Sequence, residues 1–201
     1  MRDDALATVG DSGPELTVTE VTSFTEAENA YIALDIQGTM EVPYYMKPLS
    51  TLIGEFSQFH FGEDGLPAQN GTMTVPFWIR VPHTAINGSP HGLVMYGHGL
   101  LGSGSQVRGG FNSKIAHDHA LIFFAADLAG MSEPEYSGAI QIVQNFTLFP
   151  IIGDRLHQGM INWVLLTRAM RERFASLDIA VQNNIQVCLL YTSDAADVCS
   201  V

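Results

Sequence analysis

One glycine-rich segment carries most of the chemical potential of this 201-residue chain: Gly97-His98-Gly99-Leu100-Leu101-Gly102-Ser103-Gly104, directly after the apolar run Gly92-Leu-Val-Met-Tyr96. Glycines at this density let a backbone turn sharply and present its N–H groups to a ligand. Two chemistries use such a loop. Read as Gly97-x-Gly99-x-x-Gly102, it matches the dinucleotide fingerprint, and Asp127 closes the next apolar run where a ribose-binding acid would sit. The spacing fits less well, because Asp127 lies 30 residues beyond Gly97 against a usual distance of about 20. The polar Ser103-Gly104-Ser105 run also delays the helix whose N-terminus would receive a pyrophosphate. A Walker-type phosphate loop fails, since Ser103 stands where the lysine is required. The other chemistry is an oxyanion loop, in which a backbone N–H faces a carbonyl oxygen and stabilises the charge that develops on it.

The remaining polar groups offer less. Gly10-Asp11-Ser12-Gly13 imitates a serine-protease nucleophile, but nine preceding residues leave no room for the histidine and aspartate that architecture places earlier, so it reads as a turn. Ser193, in Tyr191-Thr-Ser-Asp, has no flanking glycine to permit a strained nucleophile turn. His117 and His119 are two apart and point about 200° away from each other on a helix, so they do not share a metal-binding face. His60, His83, His91 and His157 lack partners at ligand spacing and read as surface or internally satisfied groups. No metal site and no cofactor is expected. The only cysteines, Cys188 and Cys199, sit in the last fourteen residues, which leaves the rest without a disulfide framework or thiolate site.

The elements around the loop follow from periodicity. Residues 15–46 alternate as β, and Gly38-Thr-Met-Glu-Val-Pro recurs 33 residues later as Gly71-Thr-Met-Thr-Val-Pro. Proline in both copies predicts edge-type strands, joined by the turn-rich stretch 62–70. Beyond Pro90 come a buried-type strand at 92–97, a helix over 106–119, a second buried strand at 120–126 and an excursion over 128–153. Asp154 is placed to cap a long amphipathic helix over 154–174 whose end is crowded by Arg168, Arg171 and Arg173, and a last strand covers 185–190. This alternation predicts an α/β fold, with 92–97, 120–126 and 185–190 as neighbouring parallel strands.

Composition limits the partners. Nine Lys and Arg against 21 Asp and Glu give a net charge of −12, which disfavours nucleic acid and anionic membranes. Twelve of the acidic and two of the basic residues fall within residues 1–66, a solvated acidic face ahead of a more neutral core. The longest apolar run, Ala120–Ala126, is seven residues, far from the roughly 20 of a membrane helix. The opening residues carry charge where an export signal has an apolar stretch.

Tyr96-Gly97-His98-Gly99-Leu100-Leu101-Gly102 after a strand resembles the His-Gly loop that follows the third strand of α/β-hydrolases of the lipase and esterase kind. Asp127-Leu-Ala-Gly130 resembles the Asp-x-x-Gly stretch after their fourth strand. Phe149-Pro-Ile-Ile-Gly-Asp154-Arg155-Leu156-His157-Gln158-Gly159-Met-Ile-Asn162 resembles the run leading into the helix before their nucleophile, as found in large exported bacterial lipase-like proteins. The likeness covers roughly residues 30–175. It implies a serine hydrolase acting on small-molecule or lipid esters, exported from the cell, with the Leu100 N–H as an oxyanion donor and His98 and Gly99 shaping the loop.

The superfamily's nucleophile motif, Gly-x-Ser-x-Gly, occurs nowhere in the sequence. The segment Cys188–Asp197 resembles a translated sequencing-adapter read-through, which would make residues 187–201 a non-native tail. The expectation is therefore a β-rich acidic region over 1–90, the N-terminal half of an α/β-hydrolase core over 91–186, and an incomplete sheet. The chain retains the oxyanion loop and lacks nucleophile, acid and base. A Rossmann-like nucleotide binder and a non-catalytic docking module are the alternatives.

Overall fold

A computed structural model of the chain describes residues 1–48 and 57–188. Ser193 and the remainder of the proposed tail lie outside the described residues, as do positions 189 and 190 of the last predicted strand. Eight strands and five α-helices make up the described chain. A six-stranded sheet runs in the order β1 (Thr17–Ser23), β2 (Ile32–Pro43), β5 (Thr72–Pro82), β7 (Leu121–Ala126), β6 (Pro90–Met95), β8 (Gln186–Cys188). A separate antiparallel pair joins β3 (Met46–Pro48) and β4 (Ser57–Phe59). β6 pairs in parallel with both β7 and β8, as the strand-helix alternation predicts. Strands from both sides of residue 90 share this one sheet.

The internal echo has a structural meaning. β2 and β5 run antiparallel, so the two copies face each other: Met40 opposes Val75 and Val42 opposes Met73. Neither strand is at an edge, which corrects the expectation drawn from the prolines. Pro43 ends β2, and Pro76 lies one residue beyond the segment 77–80 that pairs with β7. The missing N–H thus falls where the ladder is already thin. Gly38 is required between them, because a Cβ there would come within 2.3 Å of the Phe77 ring and 2.4 Å of the Thr17 carbonyl.

Helices cover both faces of the sheet. α4 (Pro150–Glu172) buries Leu165, Leu166, Ala169 and Met170 with Ile36, Ile79, Ile122 and Phe124. On the other face α2 (Gly110–Asp118) and the short turn of helix at 104–108 enclose Val107, Ala116, Phe123 and Ala125. The single helix predicted over 106–119 is thus two pieces, broken at Gly109, whose extended backbone (ψ 141°) cannot continue a helix. α4 begins at Pro150, four residues before the predicted cap, because proline at the first helical position loses no hydrogen bond. Asp154 instead lies inside the helix, where its carboxylate accepts from the Phe59 N–H at 3.1 Å.

Two helices carry no strong sequence signal: α1 (Arg2–Val9) and α3 (Tyr136–Gln144), the latter within the predicted excursion. The N-terminal segment is held by Arg173, which donates to the Ser12 and Gly13 carbonyls at 3.1 Å, and by the Tyr45 hydroxyl, which donates to Asp4 at 2.6 Å. α5 (Asp178–Gln182) leads into β8.

Candidate functional site

β2 is antiparallel to β5 and β5 to β7, so β2, β6 and β7 all end at the same edge of the sheet. The chain leaving β6 forms the glycine-rich loop 97–104, and the chain leaving β7 runs beside it through residues 127–133. Two backbone bonds join them: Leu101 N–H to the Met131 carbonyl at 2.7 Å, and Glu133 N–H to the Gly102 carbonyl at 2.7 Å.

His98 is a third connection. Its Nε2 accepts from the Leu128 N–H at 2.8 Å, which places the ring proton on Nδ1, and Nδ1 donates to the Gly99 carbonyl at 2.8 Å. Gly102 N–H returns to that same carbonyl at 2.9 Å, closing a tight turn over 99–102 with Leu101 in the left-handed region (φ 53°). Holding a leucine there is unfavourable without glycine's freedom, so the surrounding bonds fix the turn. The Gly99 N–H approaches Gln106 Oε1 at 3.4 Å. The Leu100 N–H meets no acceptor among the described residues, and Leu100 is 72% exposed. The three residues expected to form an oxyanion loop are therefore together in one turn, with His98 and Gly99 bracing it and the Leu100 amide open.

Asp127 is committed elsewhere: its Oδ1 accepts from the Gly104 N–H at 2.7 Å, capping the turn at 104–108. α2 does not start until Gly110, so the Gly97–Gly102 turn does not open a helix as the dinucleotide fingerprint requires. His117 bonds Asp118 at 3.2 Å and packs edge-on against Tyr31. His91 is buried but satisfied, between the Thr84 hydroxyl at 2.9 Å and the Ser89 carbonyl at 2.7 Å. His83 meets the Asn29 carbonyl and His157 the Gly153 carbonyl. Gly10–Gly13 is a turn.

Arg155, Gln158 and Gly159, in the run that resembles the approach to the nucleophile helix, support the loops at this edge. Arg155 donates through Nε to Glu135 at 2.8 Å and through a terminal nitrogen to Ser57 at 2.6 Å. The buried Glu135 in turn accepts from the Ser132 N–H. Gln158 bridges the Pro43 carbonyl and the Tyr45 N–H at 3.0 and 2.9 Å. A Cβ on Gly159 would sit 2.7 Å from the backbone N and O of Ala129, so the 127–131 loop rests directly on α4 there.

On the α2 face, Asp35 of β2 accepts from Arg80 at 2.8 Å and from Arg108 at 2.7 Å, directly after the glycine loop. Burial holds the Arg80 guanidinium below its ordinary value despite the Asp35 charge. Neither arginine carried a sequence signal, because the pairing spans 45 and 73 residues.

Beside the loop lies an open groove of about 310 Å³ lined by Leu101, Tyr136, Ala139, Ile140, Val143 and Gln144. A larger hollow of about 430 Å³, between Leu16 and Ile179, is remote from the loop. No described helix is long and apolar enough to cross a membrane.

No protein-family model and no curated protein matches the sequence. Among solved structures, the chain is similar to the rice cell wall degrading esterase LipA from Xanthomonas oryzae, at 10% identity and a TM-score of 0.35. The match covers 90% of this chain and 42% of that one. A ligand-bound form of the same esterase matches at 11% identity and a TM-score of 0.33, over 86% of this chain and 41% of that one. The chain thus spans about two fifths of the length of the solved structures it matches. The architecture described above is mixed α/β, with parallel strands and flanking helices.

Proposed function

We propose that the chain carries the oxyanion-loop portion of a carboxylic ester hydrolase of the α/β-hydrolase kind. The Leu100 N–H serves as one donor to the developing oxyanion, and His98 and Gly99 hold it in place. The open Leu100 amide is the observation that carries this reading. It sits at the end of a parallel strand, while Leu101 and Gly102 on the same turn have their N–H groups occupied. In ester hydrolysis the carbonyl oxygen gains negative charge as the acyl carbon becomes tetrahedral, and a preorganised donor stabilises that charge most where water is excluded. We assign the nucleophile, general base and acid to no residue of this chain, since the sequence contains no Gly-x-Ser-x-Gly. Substrates of the complete hydrolase are small-molecule or lipid esters.

The test uses methylphosphonate, a tetrahedral anion, titrated into the ¹⁵N-labelled chain. A saturable shift of the Leu100 amide and of the neighbouring Gly99 and Leu101 amides is expected, and the shifts of those two neighbours should be lost in Leu100→Pro, which has no amide of its own to observe. Proline suits this substitution because Leu100 is the second residue of the turn, where a fixed φ near −65° is accepted and only the donor is removed. An unmoved Leu100 amide at tens of millimolar ligand, or an equal response of Gly99 and Leu100→Pro neighbours in both proteins, refutes the assignment.

A further inference from the structure

His98 joins two loops through a hydrogen bond whose direction is fixed. A backbone N–H only donates, so the 2.8 Å contact from Leu128 requires an unprotonated Nε2. The ring's one proton is then on Nδ1, held by the Gly99 carbonyl at 2.8 Å. A second proton has no place in this arrangement, because an imidazolium carries N–H on both nitrogens and would set Nε2–H against the Leu128 N–H. Histidine is the side chain that ordinarily makes this change between about pH 5 and 8. No charged side chain bonds the ring among the described residues to offset the conflict. From the segment after β7, Asp127 is taken by the Gly104 N–H, and Glu133 is exposed. From α4, Asp154 is taken by Phe59, Arg155 by Glu135 and Ser57, and His157 by the Gly153 carbonyl. From the turn at 104–108, Arg108 is taken by Asp35, while Gln106 offers Gly99 only a neutral amide.

We infer that proton uptake by His98 releases the 98–100 end of the glycine loop from the segment after β7, leaving the 101–102 end attached. The two ends differ in what holds them. The bonds from Leu101 N–H to the Met131 carbonyl and from Glu133 N–H to the Gly102 carbonyl are backbone bonds, with no group that titrates. The turn over 99–102 also stays closed, since an imidazolium still donates from Nδ1 to the Gly99 carbonyl, and Gly102 N–H returns to the same oxygen. Only the tie to Leu128 is lost. This junction stands independently of the ester-hydrolase reading. Where that reading holds, the Leu100 donor is preorganised only while His98 is neutral, because the cationic ring holds the Gly99 carbonyl without itself being held.

The experiment follows the ring nitrogens and backbone amides of the full ¹⁵N-labelled chain from about pH 8 to about pH 5. At the upper end the His98 ring should show Nδ1–H and a bare Nε2. As the ring takes up its second proton, the Leu128 amide should exchange about three- to tenfold faster, after correction for the intrinsic pH dependence of exchange. That is the factor for losing one ordinary hydrogen bond. The Leu101 and Glu133 amides should keep their protection. His98→Gln puts a permanently neutral oxygen where Nε2 stood, so Leu128 should stay protected across the whole range. His98→Asn keeps only the donor to Gly99, so Leu128 should be unprotected throughout. The ring spectrum and exchange profile of the unaltered chain test the inference even if neither variant folds. An Nε2–H tautomer at the upper pH, Leu128 protection that does not follow the His98 ring, or a pH dependence that survives in His98→Gln overturns it. Equal loss of protection at Leu101 and Glu133 overturns it as well, since the whole loop would then come away. The methylphosphonate response of Leu100 is read separately, while His98 is neutral, so the two proposals fail independently.

Discussion

Replacing Asp35 with alanine is the sharpest test of how the glycine loop is anchored. Asp35 is 7% exposed and takes charged hydrogen bonds from Arg80 and Arg108, and Arg80 itself is 4% exposed. The substitution leaves two guanidiniums facing an empty space with no carboxylate between them. Breaking a buried pair by removing one partner costs about 3–5 kcal/mol, since the remaining charge stays desolvated. The Arg108 side chain is 36% exposed and can turn to water, which favours the lower end of that range. Arg80 cannot, and its Nε has no partner among the described residues. With a urea dependence of about 2 kcal/mol per molar, the unfolding midpoint should fall by roughly 1.5–2.5 M. Trp78 and Trp163 fluorescence would report it, one on each side of the sheet. Replacing all three residues together by Leu, Met and Met should recover most of the loss, because a buried ion cluster is often no better than apolar packing of the same volume. A midpoint shift below about 0.5 M for Asp35→Ala, or a triple variant as unstable as the single one, refutes this account.

Gly159→Ala should destabilise by about 1–3 kcal/mol in chemical denaturation. The gain of about 1 kcal/mol in helix propensity is outweighed because the clash is with the Ala129 backbone rather than a movable side chain. Burial, then the hydrogen bond and charge of Asp4, push the Tyr45 hydroxyl well above its ordinary value. Its stabilising contribution is therefore complete below the unfolded-state value of about 10 and lost as pH rises past it. Tyr45→Phe should flatten the alkaline fall of the melting temperature. The chain should show no saturable hydrolysis of p-nitrophenyl esters and no labelling by a fluorophosphonate probe; stoichiometric labelling of any serine, Ser193 first, contradicts the absence of a nucleophile.

Much of the parallel half was legible because its signals are local. The runs Gly92–Tyr96 and Leu121–Ala126 are buried-type strands by composition alone, and the glycines between them leave few conformations for the loop. The positions that were misread depended on partners far along the chain. Proline at 76 argues for an edge only if pairing on both sides is assumed, and β7 stops one residue short of it. Asp154 has the composition of a cap, but Pro150 starts the helix first, and the carboxylate is taken by Phe59, 95 residues away. α3 is only nine residues long and follows the Gly- and Pro-containing stretch 130–135, so the segment reads as irregular despite burying Ile142. Within the proposed oxyanion loop, the glycines that let the turn at His98, Gly99 and Leu100 form are visible in type and order. The bonds from Leu128 to His98, from Leu101 to Met131 and from Glu133 to Gly102 come from the neighbouring loop, which no local pattern specifies.

The run from Asp154 to Trp163 contains residue types that catalysts use, yet the geometry gives Asp154, Arg155 and Gln158 mechanical tasks. Asp154 holds β4 through Phe59, Arg155 ties Ser57 to Glu135, and Gln158 fixes the chain leaving β2 at Pro43 and Tyr45. Gly159 seats the loop after β7, and the Trp163 indole N–H bonds the last carbonyl of β7, at Ala126, at 3.1 Å while its ring lies against Gly97. One helix thus sets the height of three segments that emerge at the same edge of the sheet. An amide donor is useful to a developing oxyanion only if it stays in place as the charge appears, since a loop that must reorganise gives back the stabilisation it offers. The polar positions of α4 thereby fix the segments packed around the 97–104 loop. A charge-conserving change such as Arg155→Lys, which loses the forked contact to Glu135 and Ser57, should then loosen the 97–104 loop without touching it.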